Sequence, residues 1–237
     1  MGNIESGKIL QKISQDPEPQ EPEADKVIEE SVKDFYAKET ERFLLEDRKR
    51  NLASLLGGEQ AALRYTFQNY RVVPSTREVV EYAKSFNPKT ESVYLWGWCG
   101  SGKDHLAKAM VREHYLNGRS VRILTPRMLV RNLRGKEGSE EETIIKDLSQ
   151  SDILYFSEIG LGADTQFAIG SMCEIMDRRH DAGLKGLIFT GNLGINALAE
   201  YLKDDRLRSR IEGECKLIQL APLDPKGREI DFRVYKR

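Results

Sequence analysis

Val93-Tyr94-Leu95-Trp96-Gly97-Trp98-Cys99-Gly100-Ser101-Gly102-Lys103-Asp104-His105-Leu106 is the stretch on which the fold turns. Four apolar residues lead into a G-x-x-x-x-G-K loop, and amphipathic residues 105–116 follow it, closed by Asn117-Gly118. A strand-length run, a glycine loop and a helix in that order form the setting in which such a loop cradles phosphate. Gly97, Gly100 and Gly102, with Ser101 between them, let backbone N–H groups turn inward around phosphate oxygens. The helix start adds partial positive charge, and Lys103 reaches the outer phosphates of a nucleotide such as ATP. The competing reading is a glycine-rich turn that binds nothing.

Further apolar runs at 121–124, 153–156, 187–189 and 217–220 alternate with helix-length segments such as 167–180. Strands separated by helices predict a parallel sheet covered on both faces. The expected fold class is therefore α/β, a three-layer P-loop domain with a five-stranded parallel sheet, over residues 59–237.

Two positions depart from the usual phosphate-loop chemistry. The residue after the lysine is ordinarily Ser or Thr, whose hydroxyl binds Mg²⁺; here it is Asp104. The third strand ordinarily ends in an acidic pair, the first member holding the metal through water and the second activating the attacking water. Here Ser157-Glu158 stands, so Glu158 keeps the water activator's place while the metal-binding Asp has become Ser157. In one reading the metal site has decayed, because an uncompensated carboxylate about 4 Å from a phosphate charge opposes binding by about 4 kcal/mol. In the other the hydroxyl and carboxylate have exchanged places, Asp104 hydrogen-bonding Ser157 and serving as a direct ligand of Mg²⁺.

Charge is spread unevenly. Residues 1–47 hold 6 Lys/Arg and 13 Asp/Glu, while the remainder holds 31 basic and 25 acidic residues. Residues 1–24, ending in Asp16-Pro17-Glu18-Pro19-Gln20-Glu21-Pro22-Glu23, read as a disordered acidic linker. Residues 25–58 carry apolar side chains at helical spacings up to Gly57-Gly58 and form a tethered helical arm, either packed on its own domain or docked on a partner. Three distant cysteines, Cys99, Cys173 and Cys215, suit a reducing cytoplasm and exclude a disulfide framework. No run is long enough to span a membrane.

From Thr66 onward the chain resembles the DnaC/IstB group of AAA+ ATPases, bacterial helicase loaders and transposition ATPases. Thr66-Phe67-Gln68-Asn69-Tyr70 resembles the group's Thr-Phe-x-Asn-Phe segment, and Gly102-Lys103-Asp104-His105-Leu106-Ala107 its Gly-Lys-Thr-His-Leu-Ala. Ile153-Leu154-Tyr155-Phe156-Ser157-Glu158-Ile159-Gly160 resembles its apolar run, acidic pair and Ile-Gly. Leu187-Ile188-Phe189-Thr190-Gly191-Asn192 resembles its fourth strand, which makes Asn192 the first sensor. Asp205-Arg206-Leu207-Arg208-Ser209-Arg210-Ile211 resembles its Asp-Arg-x-x-Ser-Arg-Leu, which makes Arg210 the arginine finger for a neighbouring subunit's nucleotide. The ending Gly227-Arg228-Glu229-Ile230-Asp231-Phe232-Arg233 makes Arg233 a second sensor.

The resemblance implies catalytic roles for Glu158, Asn192 and Arg210 and places His105 and Arg233 among the nucleotide-binding residues. It implies an ATP-binding, self-associating replication protein serving a replicative DNA helicase, or a transposase in the IstB manner, and holding single-stranded DNA. Arg127, Arg131, Arg134 and Lys136 are the DNA-binding candidates, with Arg178-Arg179-His180 open to the same reading; a solvated helix face is the alternative for both groups. A non-hydrolysing adaptor acting through protein contacts remains a third reading.

Overall fold

The computed structural model describes residues 23–161 and 166–234, with side chains from residue 31 onward. The expected acidic linker, residues 1–24, lies almost wholly outside them. The chain divides into two compact units, Met1–Glu46 and Asp47–Arg237, and helix α1 (Glu23–Leu56) contributes to both.

In the second unit β1 (Val93–Trp96), β2 (Val121–Leu124), β3 (Ile153–Ile159), β4 (Leu187–Gly191) and β5 (Lys216–Gln219) form one sheet in the order β2-β3-β4-β1-β5. Every pairing is parallel. The helices between them are α4 (Lys103–Leu116), α5 (Pro126–Leu133), α6 (Ser139–Gln150), α7 (Gln166–Asp181), α8 (Ile195–Leu202) and α9 (Asp205–Glu214). Short α2 (Glu59–Arg64) and α3 (Arg77–Ser85) precede the sheet. The expected five-stranded parallel architecture is borne out.

The strand side chains alternate between two cores. Val93, Leu95, Ile153, Tyr155 and Ile188 face a layer built from α3, α4 and the end of α1. Tyr94, Leu154, Phe156, Leu187 and Phe189 face α5 to α9. Because both faces are covered, the inner strands β1, β3 and β4 are largely apolar at successive positions, whereas the edge strands β2 and β5 carry Arg122, Lys216 and Gln219. This makes the three layers.

The body begins inside α1, at Asp47, and not at residue 59 as the glycine pair suggested. Leu52 and Leu56 are the reason: both are buried in the α3/α4 core, and Arg48 donates to the Tyr115 carbonyl oxygen at 2.8 Å. Leu52→Ala is therefore expected to cost about 2–3 kcal/mol, lowering Tm by roughly 5–10 °C in thermal unfolding. Phe43→Ala, at a position 66% exposed, should change stability by less than about 0.5 kcal/mol.

Candidate nucleotide site

The carboxyl ends of β1, β3 and β4 open on one cleft of about 420 Å³, the place where parallel α/β sheets bind ligands. The loop after β1 forms its floor. A Cβ on Gly97 would collide with the Leu220 carbonyl oxygen, and Gly100, at φ +78°, lies directly against the Asp231 carboxylate. Only glycine fits where the backbone comes this close. The segment after residue 229 closes over the loop: Phe232 N–H donates to the Gly100 carbonyl at 2.9 Å, and Trp98 Nε1 to the Ile230 carbonyl at 3.1 Å.

Lys103, the first residue of α4, is only 8% exposed, and its Nζ donates to the Gly97 and Trp98 carbonyls at 2.8 and 2.9 Å. Burial lowers its pKa. His105 lies two residues on, 2.9 Å from the Thr66 carbonyl and edge-on to Tyr65 and Tyr70. Its pKa is also lowered by burial, and the neutral ring must carry its proton on Nε2 to donate to that carbonyl. Tyr70 is 6% exposed, and its hydroxyl lacks a hydrogen-bond partner among the described residues while lying beside Gly102. A buried unpaired hydroxyl facing a phosphate loop is the kind of group that a bound ligand satisfies.

Asp104 does not meet Ser157. Tyr155 Oη donates to Asp104 Oδ1 at 2.6 Å, and Lys108 Nζ is 3.0 Å from Oδ2. The expected Asp104–Ser157 hydrogen bond is replaced by these two, since Tyr155 projects from β3 under the first turn of α4. Burial and the adjacent Asp104 push the Tyr155 phenol well above its usual range, so it stays a donor. Its single hydrogen goes to Asp104; Thr190 Oγ1, 3.1 Å away, must then donate to it and accept the Glu158 N–H at 3.3 Å.

Glu158 sits where the β3–β4 register shifts between Phe156 and Ile159. The irregularity turns the Glu158 backbone to φ +61° and leaves its side chain exposed beside the cleft, while Ser157 is 7% exposed. Asn192, just past β4, donates from Nδ2 to Cys99 Sγ at 3.3 Å. Arg233 forks onto the Asp231 carboxylate, with 2.5 Å between Nη2 and Oδ2, and holds that carboxyl down to about 2.

Of the residues singled out from sequence, Gly100, Gly102, Lys103, Asp104, His105, Glu158, Asn192 and Arg233 line the cleft together. Gly97 and Ser101 support its loop, and Ser157 is buried behind it. Arg210 is elsewhere, bonded through Nε and Nη2 to both oxygens of Asp177 at 2.6 Å each. Arg64, Tyr65, Arg71 and Thr190 also line the cleft and were not anticipated. The two arginines flank the Thr-Phe-x-Asn segment already recognised, which was the available signal. Four basic side chains (Arg64, Arg71, Lys103, Arg233) against two acidic ones (Asp104, Glu158) make a wall suited to polyphosphate.

The triplet at the end of α7 is not a nucleic-acid stripe. Arg179 is 1% exposed and donates to the carbonyls of Ser149, Ser151, Asp152 and Lys185. Arg178 pairs with Glu142 and Glu174, and His180 with Glu214.

Comparison with known proteins agrees with this geometry. The chain is 30% identical over 152 residues to the replicative helicase loader DnaC of Buchnera aphidicola, covering 59% of this chain and 62% of that one. It thus spans about three-fifths of the length of the relatives it matches. Among solved structures, DnaI superposes with a TM-score of 0.59 at 20% identity, covering 73% of this chain and 97% of that one. AMPPCP-bound DnaA from Aquifex aeolicus superposes at 0.58 with 22% identity, covering 69% and 52%. At such identities the two structures speak for the fold alone, which is that of P-loop AAA+ domains. The family profile described as IstB-like ATP binding protein matches residues 12–219, so the chain belongs to the IstB-like ATP-binding proteins.

Proposed function

We propose that this chain is an ATP-binding accessory protein of DNA replication that acts as a loader for a replicative helicase. The observation that carries the reading is the basic cleft around Lys103, with the unpaired Tyr70 hydroxyl, in a chain whose curated relatives include replicative helicase loaders. Nucleotide would sit between subunits, with Arg210 leaving Asp177 to reach a neighbour's phosphates. Docking falls to residues 31–46 of α1, where Val32, Phe35, Tyr36, Phe43 and Leu44 are all exposed. A transposase partner is the second reading, favoured by the length of the IstB-like match. Size-exclusion chromatography with ATP separates the two, since a complex with the replicative helicase of the same cell supports loading and one with the transposase overturns it.

Single-stranded DNA is assigned to α5. Arg127, Arg131 and Arg134 are exposed at helical spacing without an ion-pair partner among the described residues, whereas Lys136 is held by Glu140 at 2.8 Å. Replacing the three arginines with alanine should reduce the salt slope of single-strand binding by about 2, measured by fluorescence anisotropy across a salt series. An unchanged slope would return these residues to the role of a solvated helix face.

A further inference from the structure

We propose that this chain takes its nucleoside triphosphate free of a divalent cation, the usual metal seat being filled by a Tyr155–Asp104–Lys108 cluster. The inference rests on the nucleotide reading above and concerns how that same cleft neutralises phosphate.

A phosphate loop holds Mg²⁺ through a hydroxyl on the residue after its lysine and through water on a carboxylate at the end of the third strand. The hydroxyl is missing here, and the carboxylate at the end of β3 is Glu158, one residue past the position that usually holds metal-bound water. Both oxygens of Asp104 already have donors, Tyr155 Oη at 2.6 Å on one and Lys108 Nζ at 3.0 Å on the other. The Tyr155 hydroxyl is itself fixed from behind by Thr190. Lys108 is fixed too: its side chain is 19% exposed and its Nζ lies 4.4 Å from the centre of the Tyr65 ring. A dication entering beside Asp104 would have to compete with a buried phenol for one oxygen and with an ammonium for the other, which leaves little room for the near-ideal octahedral shell that Mg²⁺ demands. On the opposite side Ser157 is 7% exposed, outside the cleft wall, and carries no charge with which to hold metal-bound water. The residues present do not fit the metal.

The same cluster answers the objection that Asp104 should repel phosphate. Lys108 cancels its charge at contact distance, so the carboxylate reaches the cleft as half of an ion pair. Neutralisation of the triphosphate then falls to Lys103, Arg64 and Arg71 in the cleft wall, with Arg233 shared with Asp231.

Titration calorimetry on the full chain tests this, with ATP in excess Mg²⁺ and with ATP in EDTA, alongside an Asp104→Thr/Ser157→Asp double variant checked for folding by circular dichroism. The parent should bind ATP with dissociation constants that agree within about threefold in the two buffers, while the double variant tightens by about tenfold or more with Mg²⁺. Parent binding about tenfold tighter in Mg²⁺ overturns the proposal and leaves the nucleotide reading standing. A double variant as indifferent to Mg²⁺ as the parent also overturns it, because the two positions would not then be the cause. No heat in either buffer removes the nucleotide reading, and this inference with it.

Discussion

Lys103→Ala is expected to weaken ATP binding by about a thousandfold, because an ammonium about 4 Å from a phosphate charge contributes about 4 kcal/mol at an effective dielectric near 20. The side chain now rests on the Gly97 and Trp98 carbonyls, within its own loop. It is shielded from water, which strengthens any interaction it makes with an anion. Calorimetry in EDTA gives the affinity, and thermal unfolding controls for the loss of the two loop hydrogen bonds. A loss below about tenfold would move the phosphate contact away from Lys103 and take the central support from the nucleotide reading.

Much of the architecture was legible in the chain, and the reason is visible strand by strand. The run at 93–96 matches β1, which is covered on both faces, and that at 121–124 matches the edge strand β2, where only Arg122 turns to solvent. The phosphate loop announced itself because its glycines answer local backbone demands. What stayed hidden depends on contacts distant in sequence. Tyr155 reads as one more apolar strand residue, yet its hydroxyl meets Asp104, 51 positions away. Arg179 sits between two other basic residues and reads as surface, yet it is buried against carbonyls 27 to 30 positions earlier. Leu52 was assigned to the arm because Gly57-Gly58 is the stronger local punctuation, although the packing boundary comes earlier. Spacing alone reveals periodicity, not which side chain lies across the sheet.

Arg179→Ala should be the most damaging substitution to the body. The guanidinium ties the end of α6 to the starts of β3 and β4, donating to Ser149 O at 3.0 Å, to Ser151 O at 2.6 Å and to the Lys185 carbonyl. Burial lowers its pKa to about 10, a sign of how little water it meets. Truncation leaves several buried carbonyls without a donor and a cavity in their midst. The expected loss is about 4–5 kcal/mol, which lowers Tm by roughly 10–15 °C. Lysine should rescue little, because one ammonium cannot span carbonyls on both sides of a planar fork. A drop of under about 3 °C would show that the clamp contributes little beyond its packing.

Glu158 carries a further consequence. Its left-handed backbone, φ +61°, is a conformation that costs a non-glycine residue of order 1–2 kcal/mol, and glycine would adopt it freely. Glu158→Gly would relax the polypeptide while deleting the carboxylate that stands beside the cleft. At this one residue robustness and usefulness select opposite amino acids, so any search that rewards thermal tolerance alone would discard the acid first.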